Sequence, residues 1–248
     1  MKKSLIGFST ILIWLMTGAC AEVENAEGAR VGLIMKSARY GISNGRVTNA
    51  WDITEAMLGV TKIELENEFD DDDHSGSRVS HDGDDDDSAD DDAFELEIKG
   101  NFKVNLLDGT STPPIPEVDV PPGVYNEVKL DLSPILDGGY SVILKANYTD
   151  DNGIEHPVEL MLDQQFEIKI ESHKGFDVDI QKLNQVLLLF ELEKWFAGID
   201  LAGLEDNDGV IRISFEDHAA TAGQVKINID THCKSGSDDN DDGSIDDD

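Results

Sequence analysis

Apolar and polar residues alternate from Phe94 to Leu106. Phe94, Leu96, Ile98, Phe102, Val104 and Leu106 fall on one side, and Glu95, Glu97, Lys99, Asn101, Lys103 and Asn105 on the other. A strand turns successive side chains to opposite faces, so this period of two predicts a half-buried strand. Gly100 interrupts the apolar side and marks a bend or bulge. The pattern recurs in Val124, Val128, Leu130 and Leu132, which follow a Pro121-Pro122-Gly123 turn. Val142, Leu144, Ala146 and Tyr148 run into Asp150-Asp151-Asn152-Gly153, a strong hairpin signal, and Val158, Leu160 and Leu162 return. Phe166, Ile168 and Ile170 form another set, as do Phe176, Val178 and Ile180. So do Ile211, Ile213 and Phe215, then Val225, Ile227 and Ile229. Residues 31–35 and 61–65 also read as strands, and 186–192 as a central strand covered on both faces.

Helix is scarce. Residues 53–58 predict a turn or two, with Thr54 or Asp52 as N-cap and Gly59 as the stop, and 193–197 another. About ten or eleven short strands predict an all-β chain. The expected fold is an antiparallel β-sandwich, immunoglobulin-like or transthyretin-like, with one or two short helices and disordered acidic segments.

Export is written at the N-terminus. Lys2 and Lys3 precede an apolar stretch over 5–16, too short to span a bilayer. No other apolar segment is long enough to cross one. Two readings of Ala19-Cys20-Ala21 stand. Cys20 is the lipidated first residue of a bacterial lipoprotein, or the tripeptide is an ordinary cleavage site. The first places the chain at the outer membrane or cell surface, and the second in the periplasm or medium. Either way Cys233, the other cysteine, has no disulfide partner. A mature chain of roughly 225 residues is long enough to be stabilised by its core instead. The expected organisation is a signal peptide over 1–19, a tether over 20–28, a sandwich over 29–233 with an acidic insertion at 69–93, and an acidic tail over 234–248.

The net charge is −34, and removal of Lys2 and Lys3 deepens it to −36. Residues 70–92 hold 12 of the 53 acidic side chains and 238–248 hold 7, so most of the acid lies elsewhere and the whole surface is negative. Such a surface repels nucleic acid and anionic headgroups and attracts cations or basic partners. Contact with a membrane is therefore expected through the N-terminal lipid only. The insertion holds too little apolar surface to offset its ordering entropy, which predicts disorder without cation.

From Ile53 onward the chain resembles a group of uncharacterised bacterial surface lipoproteins built on a domain of unknown function. The matching residues are Ile53-Thr54-Glu55-Ala56, Thr61-Lys62-Ile63-Glu64-Leu65 and then the Asp-rich loop. Phe102 to Gly109, Pro121 to Val128, Lys194 to Leu201 and the Asp-rich C-terminus follow in order. The resemblance implies a β-sandwich on a lipid anchor and carries over no catalytic residues.

The best local motif is Asp238-x-Asn240-x-Asp242-Gly243-x-Ile245-Asp246. A calcium loop puts oxygen ligands at positions one, three and five, glycine at six and a branched apolar residue at eight. Asp246 adds a ninth-position carboxylate, but the chain stops at Asp248, before the bidentate glutamate of position twelve. Weak, millimolar Ca2+ binding is expected. An acidic tail produces the same string by composition, so both readings stand. Asp84, Asp86 and Asp90 are the candidate ligands in the insertion, where His74 and His81 read as solvated. Asp206-Asn207-Asp208-Gly209 reads as a turn between strands. Trp195, Phe196 and Trp51 offer rings that stack on sugars or pack over one end of the sandwich, and packing is expected. There is no G-x-S-x-G, H-E-x-x-H, phosphate loop or dinucleotide fingerprint.

The expected function is non-enzymatic: weak divalent-cation binding, with Ca2+ the cofactor, in surface adhesion or assembly. The alternative is a module for a basic protein or a surface glycan whose acidic runs serve only solubility. A hydrolase with an unrecognised site stands behind both.

Overall fold

The computed structural model describes residues 28–38, 51–67, 94–180, 183–204, 208–238 and 244–245. In chain order the strands are β1 (Ala29–Ser37), β2 (Trp51–Asn67), β3 (Phe94–Asn105), β4 (Thr110–Thr112), β5 (Val118–Val120) and β6 (Gly123–Leu132). β7 (Val142–Thr149), β8 (Glu155–Leu162), β9 (Phe166–Val178), β10 (Leu183–Phe190) and β11 (Ile211–Ile213) follow. The one α-helix among the described residues, α1 (Ala219–Thr231), precedes β12 (Cys233–Ser237). No helix among them is long and apolar enough to cross a membrane.

Two mixed sheets pack together. The smaller has the order β12-β10-β1-β5. The larger runs β11-β8-β7-β2-β3-β4, with β6 pairing β2 and β9. The antiparallel expectation fails at two pairings: β1 lies parallel to β10, and β8 to β11. Their inner faces carry the alternating residues, such as Ile63, Leu65, Val128, Leu130, Ile168 and Ile170, all essentially buried. The hairpin over Asp150–Gly153 forms as expected. The Asp150 carboxylate accepts the N–H groups of Asn152 and Ile154, and Gly153 takes the left-handed φ that closes the turn.

Residues 53–58 are strand, not helix. A bulge lies between Ile53 and Glu55, so Ile53 and Ala56 face inward three residues apart, a spacing that imitates a helix. Gly59 does not stop an element. A Cβ there would lie 2.6 Å from the Ser133 carbonyl oxygen, so glycine lets that backbone approach where β6 replaces β7 beside β2. Gly100 does mark a bulge, with the Phe102 ring standing where its Cβ would be.

Three other expectations fall. Val225, Ile227 and Ile229 lie on α1, where Ala222, Val225 and Ile229 form the buried stripe and Ile227 is 59% exposed. Asn228 fastens that helix, its Nδ2 donating to the carbonyls of Trp195 and Ala197 at 2.9 and 3.0 Å. Val124 points outward, because a bulge between Tyr125 and Glu127 turns Tyr125 into the core. Ile180 lies beyond the end of β9 and is exposed. The sandwich also runs past residue 233: β12 pairs with β10 through Ser237, so Lys234–Ser237 belong to the sheet and not to the tail. The 3-10 turn Leu192–Phe196 matches the expected helix at 193–197. Trp195 and Phe196 are buried there, and Trp51 stacks on Phe196 with ring centroids 4.4 Å apart.

Candidate functional site

Strand register brings separate acidic parts of the sequence to one pole. β1 and β10 both begin there, with Arg30 opposite Leu183. β12 runs the other way and ends there, with Ser237 opposite Val186. Val120 faces Ala29 and leads into Gly123, which faces Val178. β2 ends at Asn67 beside Gly123, and β3 starts opposite Asn67 at Phe94. The neck of the insertion, the root of the tail and the first described residues of the chain therefore share this pole.

The outer face of β3-β2-β6-β9 leads up to the neck as a lattice of charge. Its row nearest the pole is Glu95, Glu66, Glu127 and Glu171, each opposite the next across neighbouring strands. The second row is Glu97, Glu64, Lys129 and Lys169, and the third Lys99, Lys62, Asp131 and Glu167. Like charges directly opposite one another are destabilising. Lysines of the second row relieve part of this. Lys129 pairs with Glu66 and lies 3.2 Å from Glu127, and Lys169 lies 2.6 Å from Glu127 and 3.3 Å from Glu171. Lys62 lies 2.5 Å from Glu64 and 3.4 Å from Asp131.

Electrostatics follow this geometry. Burial pushes the Glu127 carboxyl up, but Lys169 and Lys129 outweigh it and hold the group below its ordinary range. The Glu64 carboxylate raises Lys62 to about 12 against the opposing effect of burial. Lys129 is pushed up first by Glu66, and Lys169 first by Glu127. These lysines stay charged at neutral pH.

At the neck, one carboxylate oxygen from each of Glu64, Glu66 and Glu95 lies within 4.8 Å of the others. Glu64 is buried, Glu66 half-buried and Glu95 exposed, so the cluster opens towards the end of β2 and the start of β3. Three oxygens at this spacing are a partial set for a hard divalent cation, which takes six to eight. Sequence reasoning placed Glu64, Glu95 and Glu97 on strands without linking them. The period-two pattern hides the cluster, because it tells which residues face outward but not which strands are neighbours.

Of the residues expected to bind metal, Asp238 alone is described. It is 3% exposed and its N–H donates to the Gln185 carbonyl at 3.1 Å, so it continues β12. Asp84, Asp86, Asp90, Asn240, Asp242 and Asp246 lie outside the described residues, as do Cys20, His74 and His81. The tail returns over β12, since a Cβ at Gly236 would stand 2.3 Å from Cγ2 of Ile245. Cys233 is a free thiol, pushed up by burial. Asp208 accepts the Val210 N–H and both terminal N–H groups of Arg212, while Asp206 and Asn207 of the expected turn lie outside the described residues.

Residues 46–211 match a family model described as a domain of unknown function, DUF4382. The chain belongs to this family. No curated protein and no solved structure matches it. The match includes the neck carboxylates and the insertion, and it leaves out β1, α1, β12 and the acidic tail.

Proposed function

We propose that this is an exported, non-enzymatic lipoprotein that gathers divalent cations, calcium foremost, at its acidic pole for surface adhesion or assembly. The observation that carries the reading is the clustering of Glu64, Glu66 and Glu95 at the neck of the Asp-rich insertion. The neck supplies a fixed, partly desolvated set of oxygens. Asp84, Asp86 and Asp90 in the insertion complete the coordination, and the tail adds Asp238, Asn240, Asp242 and Asp246. Calcium relieves the repulsion along the row of four glutamates and among the aspartates beside it. The neutralised pole then docks a partner or bridges to an anionic polymer. Cys20 supplies the anchor.

Calorimetric titration of residues 22–248 with calcium tests this. Saturable heat is expected, lost in the triple variant Glu64→Gln/Glu66→Gln/Glu95→Gln and in a chain lacking 70–92 and 238–248. Heat that survives the triple variant removes the neck from the site.

A second reading is favoured by the lysines. Glu66 and Glu64 already face Lys129 and Lys62, so the lattice is partly neutralised without metal. In that case the acid serves solubility and the sandwich binds a basic protein or a glycan elsewhere. Absence of saturable calcium uptake selects it.

A further inference from the structure

The two edges of β3 are occupied unequally. On one side β2 pairs with it along nearly its whole length. On the other, β4 pairs with Lys103, Val104 and Asn105. Among the described residues, no strand pairs with that outer edge from Phe94 to Phe102. Alternate N–H and C=O groups of such an edge point away from the sheet and can take up another strand. Glu95, Glu97, Lys99 and Asn101 are exposed on the outer face of this stretch, and Ile98 is buried on the inner one.

We propose that this edge joins a second copy of the chain, β3 against β3, antiparallel about a two-fold axis at Ile98. Length is the first argument. The open stretch 94–102 has Ile98 at its midpoint. A copy centred there fills the stretch and stops where β4 begins. A centre nearer Asn105 drives the second copy into β4, and one nearer Phe94 leaves part of the edge bare.

Charge is the second argument, and it selects the same centre. With Ile98 opposite Ile98, Glu97 faces the second copy's Lys99, and Lys99 faces the second copy's Glu97. Glu95 faces Asn101, so no like charges meet. Centred on Glu97 or on Lys99, the pairing would set two like charges directly against each other, which is destabilising. Lys99 already bonds Glu97 on its own strand, so the four side chains form a checkerboard of alternating sign. These positions lie in the regular part of the register, where Phe94–Lys99 run opposite Lys62–Asn67, and the Gly100 bulge falls outside them. Charge of one sign would keep such edges apart. Opposite signs placed evenly about Ile98 do the reverse. The interface is isologous and small, so association is weak. It rests on neither calcium nor the acidic runs.

Sedimentation equilibrium of residues 22–248 without calcium tests this, at ~0.15 M salt, where long-range repulsion between two acidic copies is largely screened. A monomer–dimer equilibrium is expected, with Kd in the micromolar to millimolar range. Glu97→Lys and Lys99→Glu, both at exposed positions, should each weaken it about tenfold or more, because each sets like charges opposite one another at two places. An equimolar mixture of these two variants should dimerise at least as tightly as the unaltered chain, since every facing pair is then of opposite sign. The double exchange Glu97→Lys/Lys99→Glu should also restore the dimer. Thermal melts check that each variant is folded. A chain that stays monomeric into the millimolar range overturns the proposal, as do folded variants that dimerise unchanged or a mixture that fails to recover. Dimers found only in a chain lacking 70–92 would put the insertion on this edge and overturn the proposal for the intact chain.

Discussion

The neck and the groove that opens where β8 meets β11 are both lined by carboxylates, yet they are built differently. At the neck the acids come from neighbouring strands in register, crowd within 4.8 Å, and share a lattice with lysines. Around the groove, a space of about 380 Å³, they come from Glu159 and Asp163 at the end of β8 and from Glu216 and Asp217 after β11, and Asp163, Glu216 and Asp217 are exposed. Acid content does not distinguish the two; spacing, burial and the neighbouring cations do.

The largest effect should come from removing a neck cation. Lys129→Met leaves Glu127, almost fully buried, with Lys169 alone and deprives Glu66 of its partner. Breaking a buried pair from one side costs about 3 kcal/mol. Chemical denaturation measures it, and a loss below about 1 kcal/mol would show that the lattice behaves as free surface charge.

Calcium comes next. At ten times its Kd it should stabilise the chain by about 1.4 kcal/mol by mass action. Thermal melts should show the gain in the unaltered chain and not in Glu64→Gln/Glu66→Gln/Glu95→Gln. A gain of equal size in both would move the ion to the acidic runs alone.

The pH profile sharpens the contrast from both sides. Glu127 titrates below its ordinary 4.5 in the folded state, so its contribution is present above that value and lost as pH falls through the lower folded pKa. Lys62 is raised from 10.5 to about 12, so its contribution is complete below 10.5 and lost as pH climbs through 12. Stability governed by the neck should be flat between these limits and fall at each end. Lys129→Met should flatten the acid limb, which a denaturant series from pH 2 to 7 would reveal.

The smallest effect belongs beside the groove. Asp208→Asn breaks an exposed pair with Arg212 and should cost below about 1 kcal/mol, by the same denaturation assay. A larger loss would mean that the pair is held more rigidly than its exposure implies.

Much of this was legible along the chain. Alternation located the inward residues of β3, β7 and β8, and Asp150 to Gly153 announced their hairpin. The unbroken apolar run placed β10 in the middle of its sheet. These signals are local, because the side-chain period and the turn residues act over a few positions. They misled where one string fits two periods. Val225 and Ile229 stand four apart and satisfy a helix as well as a strand, and the burial of Ala222 with the Asn228 hydrogen bond to the 3-10 turn decided for helix. At 53–58 a bulge inside a strand copied helical spacing.

By itself the sequence determined the surplus of acid, the β character and most inward faces, since each depends on residue type and near neighbours. Tertiary structure alone decided the parallel pairings, the union of Glu64, Glu66 and Glu95, and the placing of the strand ends that flank the insertion and precede the tail at one pole. Those depend on which strands lie side by side, and strand neighbours are chosen by burying apolar faces contributed by distant parts of the chain.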